Sequence, residues 1–178
     1  MTRYVALLGS INVGGNRLKM DELKAAFEEH GIVNVATVVA SGNVLFDHPR
    51  VADAKLEHEI AGVVKDRFGI ATFAAVRTKA ELEAALAESP FAVKGEDKFV
   101  HAHFLAGQPT QAQFEQLIAD HADRGSEKLA PGTRALHIDF VDGVGTSKLT
   151  SAFIEKRLGC KGTARNVRSI KRIIEKLD

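Results

Sequence analysis

Twice along this chain the apolar pattern runs through one order: strand, helix, strand, strand, helix, strand. That repetition restricts the fold more than any single motif does. In the first pass, Tyr4-Val5-Ala6-Leu7-Leu8 has the length and composition of a buried strand, and Met20, Leu23, Ala26 and Phe27 follow at helical spacing. Residues 35–39 and 44–46 flank the turn Ser41-Gly42-Asn43 as a hairpin, which His48-Pro49 stops. Ala52, Leu56, Ile60, Val63, Val64 and Phe68 keep helical spacing up to Gly69, the expected C-cap, and residues 71–76 form the closing strand.

The second pass opens after Thr78 and Glu81, a capping box for a short connector helix over 82–86. Residues 99–105 form a strand, and Thr110 with Gln113 caps a helix carrying Phe114, Leu117 and Ile118. Residues 127–129 and 135–140 flank Pro131-Gly132 as a hairpin. Leu149, Phe153, Ile154 and Leu158 form a helix ending at Gly159, and a short strand lies near 162–164. Val167, Ile170, Ile173, Ile174 and Leu177 close the chain as an amphipathic helix with Asn166 placed to cap it. The expected fold is therefore α+β, a tandem pair of ferredoxin-like (βαββαβ) subdomains with a C-terminal amphipathic helix. Its boundaries fall at 1–77 and 98–178, with a connector over 78–97.

Between the first strand and the first helix lies Ile11-Asn12-Val13-Gly14-Gly15-Asn16-Arg17. Glycines there let the backbone take positive φ and turn successive amide N–H groups toward one point. The helix N-terminus beyond adds its unpaired donors and the positive end of its dipole. Such a loop suits an anion, while a tight turn without a ligand fits the same residues. Gly9 and Gly14 have the P-loop spacing, but Gly15-Asn16 stands where that motif needs Lys and Ser/Thr. No G-x-G-x-x-G is present, so a dinucleotide site is not supported.

Charge adds a second clue. The 178 residues carry a net charge of only +1, but from position 147 onward nine Lys/Arg face three acids, leaving the preceding part at −5. A clustered basic segment raises local anion concentration and admits nucleic acid as a partner. Cys160 is the single cysteine, which rules out an internal disulfide. No apolar run approaches membrane-spanning length and the N-terminus has no signal-peptide pattern, so a cytoplasmic protein is expected.

Asn12-Val13-Gly14-Gly15, Lys19-Met20, Leu23, Ser41-Gly42-Asn43-Val44, Phe46, Ser147-Lys148-Leu149 and Thr163-Ala164-Arg165-Asn166 together resemble domain-of-unknown-function family 1697. The resemblance covers nearly the full chain. It implies an α+β fold built of two ferredoxin-like halves and brings no established activity. Three departures stand out: Gly9-Ser10 replaces the family's frequent Arg-Gly, one residue is missing between the glycine pair and Lys19-Met20, and Val167 replaces a tryptophan. If the absent arginine gripped an anion, Arg17, Lys148 or Arg165 must do so here. Losing the tryptophan removes a platform on which a nucleobase could stack.

The chemical candidates divide accordingly. Ligand contacts are expected from Asn12, Gly14, Gly15 and Asn16 in the first loop, Ser41, Gly42 and Asn43 in the hairpin turn, and Arg17, Lys148, Arg165 and Asn166 for charge and capping. Arg168, Lys171, Arg172 and Lys176 extend the basic feature along the last helix, whose bland reading is a solvated face. An RNA-recognition sheet is disfavoured, because only Tyr4 and Phe46 are available to stack bases. His101 and His103 share one side of a strand but lack a third metal ligand, so an edge or solvent face is expected. Ser147 and Lys148, read as adjacent on a helix, diverge by about 100° and make a poor catalytic pair. No G-x-S-x-G elbow or zinc helix occurs, and catalysis stays open because triads assemble from distant positions. The leading expectation is binding of a small anionic or phosphorylated ligand, with no cofactor or metal. Non-specific nucleic-acid binding through the last helix and a protein-interaction module are the alternatives.

Overall fold

The computed structural model describes residues 1–9, 11, 18–39 and 42–178. The chain divides into two compact units, Met1–Leu82 with Lys171–Asp178, and Glu83–Ile170. The C-terminal residues thus group with the first unit, whereas chain order alone placed them with the second half.

The first unit contains β1 (Thr2–Leu8), α1 (Met20–Glu29), β2 (Val33–Thr37), β3 (Asn43–His48), α2 (Ala54–Phe68) and β4 (Ala74–Arg77). Its strands form one antiparallel sheet in the order β2-β3-β1-β4, with Leu7 opposite Asn43 and Leu8 opposite Ala74. Alternation on β1 puts Tyr4, Ala6 and Leu8 into a core with Phe46, Val76, Leu23 and Phe27 of α1, and Leu56, Ile60 and Val64 of α2. Val5 and Leu7 on the opposite face are also fully buried, which is why this strand reads as a continuous apolar run. Local chemistry sets the helix ends. Asp53 accepts the Leu56 N–H at 2.9 Å to open α2, and Gly69 at φ +70° closes it.

The connector helix, α3 (Lys79–Glu88), is longer than the expected 82–86. Thr78 and Glu81 exchange hydrogen bonds at its start, as a capping box requires. The second unit contains β5 (Val100–Leu105), α4 (Gln111–His121), β6 (Lys128–Pro131), β7 (Ala135–Asp139), α5 (Ser151–Leu158) and β8 (Gly162–Asn166). The sheet order is β6-β7-β5-β8, again antiparallel throughout. Leu105, Leu136, Ile138 and Phe140 pack with Phe114 and Leu117 of α4 and Ile154 and Leu158 of α5. Thr110 and Gln113 form the reciprocal cap of α4, and Gly159 at φ +74° ends α5. α6 (Val167–Lys176) follows β8 directly and is opened by Asn166, whose Oδ1 accepts the Ser169 N–H at 2.8 Å. Leu149 lies ahead of α5 rather than within it, because Thr150 takes the N-cap by accepting the Phe153 N–H at 3.2 Å. Two four-stranded antiparallel sheets, each with its helices, make this a mixed α+β protein.

Candidate functional site

Antiparallel pairing of β1 with β3 places the C-terminal end of one strand beside the N-terminal end of the other. The two glycine-bearing stretches therefore start from adjacent roots. The Leu8 N–H donates to the Gly42 carbonyl at 2.8 Å, and the Gly9 N–H donates to the Phe73 carbonyl at 2.8 Å. The Thr72 hydroxyl donates back to the Gly9 carbonyl, so the end of β1 is held from both sides. Gly42 sits at φ +71°, and a Cβ there would lie 2.9 Å from Ile11 Cδ1 and 3.2 Å from the Leu8 carbonyl. Only glycine fits such a position without displacement. Asn43 is buried and its Nδ2 donates to the Val39 carbonyl at 3.1 Å, so its amide helps to shape the turn. Val39 itself has φ +50°, an unusual conformation for a β-branched residue. Asn12, Gly14, Gly15, Asn16, Arg17 and Ser41 lie outside the described residues.

The remaining candidates belong to the second unit, and it does not gather them in one place. Arg165 is partly buried in β8, where its Nη1 donates to Thr163 Oγ1 and to the Ala164 carbonyl, both at 2.9 Å. Burial pushes its guanidinium pKa down to about 10. Asn166 serves as the cap of α6. Lys148 is exposed and lines a cleft of about 280 Å³, a cleft that does not include Arg165.

That cleft contains a cluster the sequence did not reveal. The Ser147 hydroxyl donates to Glu127 Oε1, and the other carboxylate oxygen lies 3.3 Å from His121 Nε2. The His121 and Glu127 side chains are only 3% and 6% exposed, so this is a buried polar network beneath an open cleft. Burial raises the Glu127 pKa, but the Ser147 hydrogen bond and the His121 charge outweigh it and hold the carboxyl below its ordinary value. Here the carboxylate, not the imidazole, stands in the middle. Ser147 donates to the carboxylate and not to the imidazole, so the order of a Ser-His-Asp triad is absent, and the three side chains form a clamp between the start of β6 and the approach to α5. Ser147 also accepts the Leu149 N–H at 3.1 Å, which fixes the approach to α5. Ser147 and Lys148 precede α5 and are not on a helix, so the 100° separation expected of them does not apply. The sole sequence sign was the Ser147-Lys148-Leu149 motif; its partners, 20 and 26 positions away, came from the fold.

The histidine pair also differs from expectation. β5 is an inner strand, flanked by β7 and β8, and His103 is 2% exposed rather than turned to solvent. Burial, with a smaller contribution from the charge of His101, pushes its pKa down to about 4. A Cβ at Gly162 would lie 2.6 Å from His103 Nε2, so the backbone of β8 packs directly on the ring. His101 is partly buried, stacks edge-on to Phe140 at 4.8 Å, and has its pKa lowered by burial.

Residues 1–137 match the family model described as "Protein of unknown function (DUF1697)". Among solved structures, the chain is similar to the conserved bacterial protein SP0830 from Streptococcus pneumoniae, at 21% identity and a TM-score of 0.73. That alignment covers 99% of this chain and 98% of the other, which shows a shared fold. No curated protein sequence matches the chain.

Proposed function

The chain belongs to the DUF1697 family, proteins of unknown function, and we propose that it binds a small anionic or phosphorylated ligand at one end of its first sheet. The observation that supports the reading is the Leu8–Gly42 hydrogen bond, which joins the end of β1 to the start of β3, the two points next to the glycine-bearing stretches in the sequence. Two glycine-bearing stretches starting side by side can direct many backbone N–H groups at one anion. Arg17 supplies the nearest sequence-adjacent charge. Each unit is read as ferredoxin-like, which the common element order and the common strand order support. No helix among the described residues is long and apolar enough to cross a membrane, and the cytoplasm is the compartment proposed for this activity.

Thermal-shift and calorimetric titration against nucleotides, sugar phosphates and inorganic anions test the reading. Binding is expected to disappear in Gly15→Val combined with Arg17→Ala. Hits that survive this double substitution would move the site elsewhere.

A second reading rests on α6. Arg168, Lys171, Arg172 and Lys176 are exposed, while Val167, Ile170, Ile173 and Leu177 are buried. A cationic face of this kind suits a nucleic-acid backbone, with affinity falling linearly in a log–log plot against salt. A flat salt response removes it.

A further inference from the structure

We propose that the cleft of the second unit binds a small zwitterion, an α-amino acid or a molecule presenting a carboxylate and an ammonium in the same way. Of the residues expected from the sequence to bind an anion this site uses only Lys148, and it shares none with Gly15 and Arg17, the positions substituted to test the first-unit site, so each stands or falls alone. Its walls are the loop between α4 and β6 and the loop between β7 and α5. Three side-chain hydrogen bonds cross-link them. Arg124 Nη2 donates to the Lys148 carbonyl at 3.3 Å, Ser126 Oγ donates to Asp142 Oδ2 at 2.8 Å, and Ser147 donates to Glu127. A Cβ at Gly125 would collide with the Glu127 carboxylate, so the first loop is folded down tightly over the buried clamp.

What remains unused after those bonds defines the ligand. Glu127 accepts from Ser147 at one oxygen, lies 3.3 Å from His121 at the other, and its side chain is only 6% exposed, so it presents little surface to a guest. Arg124 keeps most of its five N–H donors, and its guanidinium is stacked 4.2 Å from the centroid of the Phe153 ring, which restrains its plane. The Lys148 ammonium makes no hydrogen bond or ion pair among the described residues. Asp142 is exposed and retains its second carboxylate oxygen. Two cationic groups and one exposed carboxylate, with the buried Glu127 beneath them, therefore border a single volume of about 280 Å³. That volume lies just below the ~300–1,000 Å³ usual for small-molecule sites, which indicates a metabolite of few atoms. A multiply charged anion would be repelled by Asp142, and a simple amine would meet two cations. A molecule carrying both charges satisfies all three groups: its carboxylate on Arg124 and Lys148, its ammonium on Asp142.

The full-length chain is titrated by calorimetry and by backbone amide NMR with the common amino acids, and in parallel with acetate, methylamine and inorganic phosphate. An amino acid is expected to bind with shifts centred on positions 124–127 and 142–148, more tightly than any single-charge probe. Asp142→Asn keeps the Ser126 contact, so the fold is preserved. It should weaken the zwitterion by about ten-fold or more while leaving acetate unchanged. Lys148→Met, at an exposed position, should weaken both. The proposal is overturned if no amino acid binds at millimolar concentration, if phosphate or acetate binds as tightly as the best amino acid, or if Asp142→Asn leaves amino-acid affinity unchanged.

Discussion

β1 and β5 hold the same place in their sheets, yet they are built from different material. β1 presents Tyr4, Val5, Ala6, Leu7 and Leu8, all apolar and buried. β5 carries His101 and His103 in the equivalent stretch, with His103 inside the core. The buried polar groups follow the same division. The first unit buries a matched ion pair: Arg77 Nη1 lies 3.1 Å from Glu57 Oε2, which also accepts the Val76 N–H at 2.8 Å. The second buries three imidazoles, His103, His121 and His137. His137 and His121 face carboxylates, Glu88 at 2.8 Å and Glu127 at 3.3 Å, whereas His103 Nε2 has neither a hydrogen-bond partner nor a carboxylate beside it among the described residues. One sheet order thus tolerates two solutions to interior polarity. The first sets opposite charges against each other inside the core, while in the second burial holds the His103 imidazole in its neutral form.

The sharpest break in this comparison comes from Arg77→Met. It leaves the Glu57 carboxylate buried without its cation and is expected to cost about 3–5 kcal/mol in urea denaturation. Replacing both partners, as in Arg77→Met with Glu57→Leu, should recover a large part of that loss. If the single and double substitutions destabilise equally, the pair does not compensate the interior charge.

Acid should distinguish the units next. His103 titrates near 6.5 when unfolded and about 4 when folded, so the folded state binds fewer protons. Its contribution is fully present above pH 6.5 and is lost progressively as pH falls toward 4. The total is about 3 kcal/mol at ~1.4 kcal/mol per pH unit. Denaturation midpoints measured from pH 7.5 to 4 should fall, and His103→Leu should flatten that fall. Glu88 and Glu127, both held below their ordinary pKa, contribute stability that is present above that ordinary value and is lost as pH falls from it through their folded values. A pH response unchanged in His103→Leu would assign the sensitivity to other groups.

The smallest expected effect sits in the first unit. Gly42→Ala places a Cβ against Ile11 and the Leu8 carbonyl in a left-handed backbone, at an expected cost of about 1–3 kcal/mol. Proton NMR should show the disturbance at Leu8 and Asn43, while the cleft residues of the second unit stay unshifted. Equal disturbance in both units would contradict their description as separate compact bodies.

Local chemistry accounts for what could be read from residue order. Thr110 with Gln113, Thr78 with Glu81, Gly69, Gly159 and Asn166 each act within a few positions of themselves, and each does what its spacing implied. The order of elements was equally accessible, because periods of two and of 3.6 survive in the apolar pattern. His103 was misplaced for a related reason: polar residues alternating on a strand imply a solvent face, but β5 is buried on both sides.

The sequence by itself determined the helix caps, the apolar faces and hence the doubled α+β order. Only the tertiary structure decided that Leu8 meets Gly42, that Arg165 bonds within its own strand, and that Ser147, Glu127 and His121 form a clamp beneath a cleft. Caps and periodicities are short-range properties of a chain. Pairing residues tens of positions apart depends on strand register and on how each helix crosses its sheet, and these are fixed only when the core packs.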